Sequence, residues 1–356
     1  MKKFVSRKQR LDYVFLISWS IIFLFLVSCH KQQFEQRPEN RFKPGKIVYA
    51  YEYNNINVIT PDGIQNQVTS GKLDYLSWRY SPWSPNAEWI AFQRMDTATM
   101  QDDICIIKYD GTGFMYLTKD TLTDMLPYWS PDGKSIVFEK HVSTTNDIFV
   151  INADGTGLKN LTNNPAWDIE AAWSPVGNKI AFLSNHINTW MGGFELWIMN
   201  TDGSEQKMLI DIGHIQRFCW APDGQKLALH GQSSSDIFDI YIINADGTGL
   251  VNLTNSPSLD LLGAWSPDGT KLAFQSDRDG NNEIYVMNVD GLGLINLTNN
   301  SASDYSPSWS PDGEWLSFNR NINGKGDLFI VDVNGTEEIR LTSTSENEGR
   351  QFWSPE

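Results

Sequence analysis

The sequence predicts an all-β protein that folds as a seven-bladed β-propeller. The first observation is a Trp-(Ser/Ala)-Pro motif that recurs at Trp83, Trp129, Trp173, Trp220, Trp265, Trp309 and Trp353, with spacings of 44 to 47 residues. The second is that each interval holds four short strand-like segments separated by turns rich in Gly and Pro. A period in the forties with four strands is typical of propellers, in which each repeat forms one antiparallel blade.

The repeat that begins near Asp260 shows the order of its elements. Strand a is LLGAW, strand b is KLAFQS, strand c is EIYVMNV and strand d is LINLT. The turns SPDG and DGLG join a to b and c to d, because Pro and Gly supply the backbone angles of tight turns. Four strands cannot bury both of their faces alone, so we expect adjacent blades to stack. The repeated Trp is then the apolar wedge between blades.

The two ends of the chain predict how the ring closes. KIVYAY (Lys46–Tyr51), INVIT (Ile56–Thr60) and NQVT (Asn66–Thr69) have the pattern of strands b, c and d without a strand a. The last residues, EGRQFWSPE, have the pattern of a strand a alone. Pairing the two would complete a seventh blade and remove the open sheet edges. Six or eight blades are the alternatives, because the irregular stretch LDYLSWRYSPW contains two Trp residues that could mark the repeat.

Residues 1–28 have the pattern of a secretory signal peptide. Five Lys or Arg residues precede an apolar run from Val14 to Cys29. The run ends in Leu-Val-Ser-Cys, which resembles a bacterial lipobox and implies cleavage before Cys29 with lipidation of its sulfur. An uncleaved membrane anchor is the alternative. We therefore expect a lipidated Cys29 with a polar linker over residues 29–45, followed by the propeller over residues 46–356.

The charge of the chain excludes some partners. The formal net charge is −15, and residues 1–28 carry five cations and one anion, so the remainder carries −19. An acidic surface does not bind nucleic acid, which requires basic groups. Anionic lipid would repel it, so we expect membrane contact through the lipid anchor only. Cys105 and Cys219 lie in apolar segments and are predicted to be buried thiols rather than a disulfide. We expect a monomer.

The repeat pattern WSPDG…IAF…IYVMNADGTGL.NLT resembles the TolB-type propeller repeat, a relative of the WD repeat. The resemblance covers about residues 46–356 and implies a propeller in the bacterial cell envelope, in the periplasm or at the cell surface. The family's best-known member has an α/β domain before its propeller and binds a peptidoglycan-associated lipoprotein. Between Cys29 and Lys46 this sequence has only a polar linker, so only the fold and the compartment are carried over.

One face of the predicted propeller is the better candidate for a binding site. The b–c and d–a loops lie on this face and vary in length, whereas the SPDG and DGTG turns of the other face repeat closely. Acidic residues recur on the variable face before strands a and c, and either bond within their loops or form an acidic rim. Asp277, Asp279 and Glu283 are candidate ligands for a structural Ca²⁺, but they lack the EF-hand spacing, and a turn is the favoured interpretation.

Departures from the repeat supply the candidate partner-binding residues. Three positions before the signature Trp, where other repeats have Leu or Ser, the sequence has Glu170, Arg217 and Arg350. Strand a is innermost in a propeller, so these residues are predicted to line or rim the central channel. The loops of the variable face add Trp78, Arg79, Trp167, Trp190 and His214. Aromatic and Arg side chains are common in interaction hot spots, and burial against neighbouring loops is the alternative.

These patterns predict a cell-envelope lipoprotein whose propeller is a binding scaffold for a protein, peptide or glycan. The enzyme alternative is a polysaccharide lyase or hydrolase with its site at the channel mouth. The sequence contains neither a Gly-x-Ser-x-Gly nucleophile motif nor a His-Glu-x-x-His zinc motif. The five histidines are scattered over several repeats and the linker, so we predict no catalytic residues and no cofactor other than the candidate Ca²⁺.

Overall fold

The computed structural model describes residues 45–51, 55–70, 73–77, 79–186, 193–232, 237–344 and 346–355. Every statement below concerns those residues. The predictions for the signal peptide, Cys29, Trp78 and Trp190 lie outside them. No helix in the described part of the chain has the length and hydropathy of a membrane span.

The described chain forms 28 strands in seven four-stranded sheets, one for each blade. The first three strands of the chain belong to blade 7, and the next four form blade 1. Their bounds are β1 (Ile47–Tyr51), β2 (Ile56–Ile59) and β3 (Gln65–Gln67), then β4 (Asp74–Tyr75), β5 (Trp89–Asp96), β6 (Gln101–Lys108) and β7 (Met115–Tyr116).

Blades 2 to 4 follow in chain order with the same a-b-c-d arrangement. Blade 2 comprises β8 (Asp124–Trp129), β9 (Ser135–Val142), β10 (Thr145–Asn152) and β11 (Lys159–Asn160). Blade 3 comprises β12 (Asp168–Trp173), β13 (Lys179–Ser184), β14 (Glu195–Asn200) and β15 (Lys207–Ile210). Blade 4 comprises β16 (His214–Trp220), β17 (Lys226–Gln232), β18 (Asp239–Asn244) and β19 (Val251–Asn252).

Blades 5 and 6 precede the closing strand. Blade 5 comprises β20 (Asp260–Trp265), β21 (Lys271–Ser276), β22 (Glu283–Asn288) and β23 (Ile295–Asn296). Blade 6 comprises β24 (Asp304–Trp309), β25 (Trp315–Ile322), β26 (Lys325–Asp332) and β27 (Glu338–Arg340). The last strand is β28 (Glu348–Trp353).

Strand β28 closes the ring as the sequence predicts. It pairs antiparallel with β1, placing Trp353 opposite Ile47. Beyond the paired strands, the Ser354 amide donates to the Lys46 carbonyl at 2.7 Å. Trp83 pairs with Ile90 as Trp129 pairs with Ile136, so Trp83 is the marker of blade 1. The predicted all-β class, the closure and the count of seven blades are confirmed.

The signature Trp residues join neighbouring blades. All seven are buried, and from blade 2 to blade 7 the first strands of successive blades contact one another around the centre. The Trp129 indole N–H donates to the Pro82 carbonyl at 3.1 Å, and that of Trp265 donates to the Cys219 carbonyl at 3.3 Å. In both cases the acceptor belongs to the residue just before the preceding blade's Trp. The signature Trp is thus an apolar wedge in every blade, and in five of the seven it also carries a hydrogen bond to the preceding blade. The indole N–H groups of Trp173 and Trp353 have no such partner among the described residues.

In four blades the acidic residue that begins strand a is paired with a Lys or Arg of its own blade. Asp304 is fully buried and receives two hydrogen bonds of 2.8 Å from Arg320, whose guanidinium lies over the Phe318 and Phe329 rings. Asp74 pairs with Arg94 in the same way. A buried charge needs such a partner, so this acidic position supports the fold and does not form an open acidic rim. Cys105 and Cys219 are free thiols.

Candidate functional site

The candidate site is a pocket at the channel mouth on the variable face. It has a volume of about 350 Å³. Its walls are the variable-face ends of strands of blades 1, 2, 3 and 7, where strand a begins and strand b ends, together with the start of strand c in blade 1. The lining residues are Tyr75, Leu76, Arg79, Gln93, Asp102, Met125, Leu126, Glu139, Ile169, Glu170 and Arg350. Concave sites of this size with a few convergent polar groups are typical of ligand pockets.

An insertion in the inner strand of blade 1 shapes this pocket. From the opening acid to the signature Trp, the other blades with an acid there advance five positions, whereas Asp74 to Trp83 takes nine, which adds four residues. The extra chain crosses towards blades 2 to 4. Tyr80 is buried there, with its ring centroid 5.0 Å from that of Tyr128 and 6.2 Å from that of Phe218. We call residues 76–81, apart from Trp78, the inner insertion.

The three departures from the repeat all contact the inner insertion. Arg79 forms a 2.9 Å ion pair with Glu170, and Arg217 donates to the Arg79 carbonyl at 3.0 Å. Arg350 donates to the Leu76 carbonyl at 3.0 Å.

The other end of the inner insertion is also held by a hydrogen bond. The Tyr80 hydroxyl donates to the Glu170 carbonyl at 2.8 Å. These bonds explain the departures physically, because an inserted segment brings extra carbonyls and a cation into the centre, and they need partners. The structure therefore places Glu170 and Arg350 in the pocket wall with a holding role, and their role in partner binding stays a prediction.

The sequence patterns did not predict that a set of polar residues on strand b accepts backbone amides of the next blade. Glu139 accepts the Glu170 amide at 2.6 Å, and Gln93 accepts the Leu126 amide at 3.0 Å. The two residues that donate these amides lie at β-bulges, with φ of 53° at Glu170 and 52° at Leu126. The bulge frees each amide from the hydrogen-bond ladder between strands a and b. In blade 4 His230 accepts the Leu262 amide at 3.0 Å. The available signal was a polar residue ten positions after the signature Trp, inside an otherwise apolar strand.

Burial perturbs the carboxyl groups of the pocket. It raises the pKa of Glu139 to about 7, with the Glu170 amide acting in the opposite direction. It raises the pKa of Glu170 to about 8, although the Arg79 charge opposes the shift. Burial also raises the pKa of Asp102. Near neutral pH the two glutamates are therefore poised between their charged and neutral forms, which is a common property of functional sites.

These pKa values predict a dependence of stability on pH. In the unfolded chain a Glu titrates near 4.5, whereas folded Glu139 keeps its proton until about pH 7. Between those values the folded state binds more protons, so this group lowers the free energy of unfolding as pH rises. In Glu139→Gln, the fall in that free energy from pH 4.5 to 7 should be shallower, as measured by urea denaturation. Glu314→Gln, at an exposed turn, should keep the wild-type slope, and an unchanged slope in Glu139→Gln would contradict the assignment.

The remaining candidates lie apart from this pocket. Trp167 is 41% exposed on the variable face, with its ring centroid 6.2 Å from that of His141. His214 packs against Phe238, and burial lowers its pKa. Arg217 lies in the wall of a second pocket of about 230 Å³, on the other side of Arg79. The structure thus divides the described candidates among two pockets, the exposed loop at Trp167 and the start of β16 at His214.

The candidate Ca²⁺ ligands are bonded within their blade. Asp277 accepts the Leu259 amide at 2.9 Å, and Asp279 accepts the Asn296 amide group at 2.9 Å. Glu283 accepts the Asn300 amide at 3.0 Å. Within the described ranges no three or more His, Cys, Asp or Glu side chains are grouped to hold a metal ion. Hydrogen bonds of this kind within the blade are what the turn interpretation of this segment predicts.

The fold and the closure by a C-terminal strand define the class of protein, a propeller of repeated WSPDG-type blades. A family model for the TolB beta propeller domain matches residues 44–218 and 195–356. The chain therefore belongs to the TolB β-propeller domain family. A relative named "Protein TolB homolog", from Chlorobium luteolum, is 51% identical over 43 residues, which cover 12% of this chain and 10% of that protein.

Solved structures share the fold at low identity. TolB from Acinetobacter baumannii has a TM-score of 0.57 and 20% identity, covering 88% of this chain and 67% of that chain. An oligogalacturonate lyase solved in complex with manganese has a TM-score of 0.66 and 13% identity, covering 84% of this chain and 86% of that chain. The propeller is therefore shared with a TolB protein and with an enzyme, and the likeness shows the fold alone.

Proposed function

We propose that this protein is a cell-envelope lipoprotein whose propeller holds a protein, peptide or glycan partner at the variable face. The observation that carries the proposal is the pocket of about 350 Å³ at the channel mouth. Four blades of the closed ring form the walls of this pocket, so a partner would meet a preformed surface, which reduces the entropy cost of binding. The lipobox-like Cys29 and the family resemblance support the anchor and the compartment.

Binding is favoured over catalysis because the arginines and the histidine at the mouth have structural partners. Arg79, Glu170, Arg217 and Arg350 all bond to the inner insertion or belong to it. His230 is buried and accepts a backbone amide. A lyase or hydrolase would need such groups to be directed at a substrate. The manganese of the oligogalacturonate lyase complex is said of that protein and is not carried over to this chain.

Crosslinking in cells followed by purification of the protein tests whether the propeller binds a partner at the variable face. Met100 and Trp167 are exposed apolar residues of the variable face, in a b–c and a d–a loop. We expect the double variant Met100→Ala/Trp167→Ala to recover at most half the amount of an envelope partner that the wild type recovers. Neither side chain is buried, so the variant should fold normally.

A matched control removes two exposed apolar side chains from the opposite face. Ile64 lies in a c–d turn and Val176 in an a–b turn. The variant Ile64→Ala/Val176→Ala should recover the partner as the wild type does. Equal losses from both double variants would contradict a site on the variable face.

A further inference from the structure

We propose that the channel-mouth pocket binds a single alkylammonium group, either the side chain of a partner's lysine or a free primary amine. The inference deepens the proposed function, on which it rests, by naming the chemistry received at the mouth. It begins with two carboxyl oxygens. Among the residues that the structure describes, neither Glu170 Oε2 nor Asp102 Oδ1 has a hydrogen-bond partner, and both atoms are buried.

The Glu170 carboxyl is the stronger of the two observations. Its residue is 2% exposed and it lines the pocket. One of its oxygens is engaged by Arg79 at 2.9 Å, which leaves the other without a donor. A buried carboxyl oxygen without a donor is costly, and a ligand that donates a hydrogen bond would remove that cost. Asp102 is half-buried in the same wall and presents the same need.

The charge count of the pocket indicates a cation. Its lining includes three carboxyl groups, those of Asp102, Glu139 and Glu170, and two guanidinium groups, those of Arg79 and Arg350. When every group is ionised these five lining residues are therefore one positive charge short, and Arg217, which also faces Glu170, lies in the wall of the second pocket. An ammonium group supplies that charge and three N–H donors in one compact head. The acidic surface of the chain would also concentrate cations near the mouth.

The shape and the walls of the pocket select an ammonium group on an apolar stem. Leu76, Met125, Leu126 and Ile169 provide the apolar part of the lining. A four-carbon stem can lie along such side chains while its charged head reaches the carboxyls. The groove on the other face between blades 1 and 2, of about 500 Å³, has Asp132 and Asp154 as its only charged lining residues among those described, and both are solvent-accessible. It therefore presents no buried charge to a ligand.

Binding should tighten as pH rises towards about 8. Glu170 faces Arg79 from the inner insertion, Glu139 from β9 and Arg217 from β16, with the Tyr80 hydroxyl alongside. Protons compete with the ammonium for Glu139 and Glu170, whose pKa values are about 7 and 8. An alkylamine keeps its own proton up to about pH 10, so the ligand stays charged across this range.

Calorimetric titration of the full chain in non-ionic detergent tests the proposal, with n-butylammonium as the probe. We expect saturable binding of n-butylammonium at pH 8 and none of 1-butanol, which has the same stem without the charge. Asp102→Asn should weaken binding about tenfold, because a hydrogen bond to a charged group is lost. Glu314→Gln removes one charge from an exposed turn on the other face and should bind as the wild type does.

A second probe separates the two sources of the ammonium group. The peptide acetyl-Gly-Lys-Gly-amide is compared with the same peptide carrying Met in place of Lys. Tighter binding of the Lys peptide than of n-butylammonium indicates a partner's lysine, and binding of n-butylammonium alone indicates a free amine. Absence of binding for both probes, or equal binding by the wild type and Asp102→Asn, would overturn the inference. An envelope partner still recovered in that case would leave the scaffold proposal standing.

Discussion

Removing residues 346–356 is expected to abolish cooperative folding of the propeller. Strand β28 is the inner strand of blade 7, and without it β1 exposes a full hydrogen-bonding edge at the centre of the ring. The loss also removes Trp353, a buried wedge between blades. An open edge of this kind favours association with other chains. The truncated protein should form aggregates in size-exclusion chromatography and lack the sharp thermal transition of the wild type.

A circular permutant provides the control for this truncation. In other blades Ser130 and Ser135 flank four turn residues, and the Ser130 amide bonds to the Ser135 carbonyl. Ser354 and Lys46 form the equivalent bond, with one turn residue fewer between them when Glu356 is joined to Gly45. A permutant with residues 346–356, one added Gly and then residues 45–345 should therefore fold. A truncated chain that unfolds like the wild type would contradict the closure.

Replacing Tyr80 by Ala is expected to destabilise the protein by about 4 kcal/mol, as for other buried aromatic residues. Tyr80 is 6% exposed and packs among residues of blades 2 to 4 although it belongs to blade 1. The substitution leaves a cavity at the centre and removes the hydroxyl bond to the Glu170 carbonyl. Tyr80→Phe should cost only about 1 kcal/mol, because it removes the hydroxyl alone.

Urea denaturation measures both effects, and Trp167→Ala provides the comparison. Trp167 is 41% exposed at the surface, so its loss should cost much less than the loss of Tyr80, about 1 kcal/mol or less. A Tyr80→Ala variant as stable as Trp167→Ala would show that the inner insertion does not hold the centre of the ring.

The fold could be predicted from the sequence because its determinants recur at a fixed period. Each Trp, its SPDG turn and its strand b are repeated within about 45 residues, so local patterns identify every blade. The closure was also predictable, because the first segment of the propeller has strands b, c and d without a strand a and the last segment has a strand a alone. The four-residue insertion before Trp83 was visible as an irregular repeat, but its direction was not.

The candidate site depends on contacts between residues that are distant in the chain. Tyr80 bonds to Glu170 across 90 positions and Arg350 to Leu76 across 274. The sequence marked Glu170 and Arg350 as exceptions, yet only the folded ring shows that they meet the same inserted segment. Asp102 carried no signal, because an acidic residue near the start of strand c is common to the repeats.

Crosslinking from a single position on each face tests the central claim most directly. A photoreactive amino acid placed at Trp167 reports on the variable face, and one placed at Val176 reports on the turn face. If the propeller is a scaffold that holds its partner at the variable face, the Trp167 position should yield a discrete crosslinked envelope component that the Val176 position does not. The same component captured from Val176, with none from Trp167, would contradict the claim.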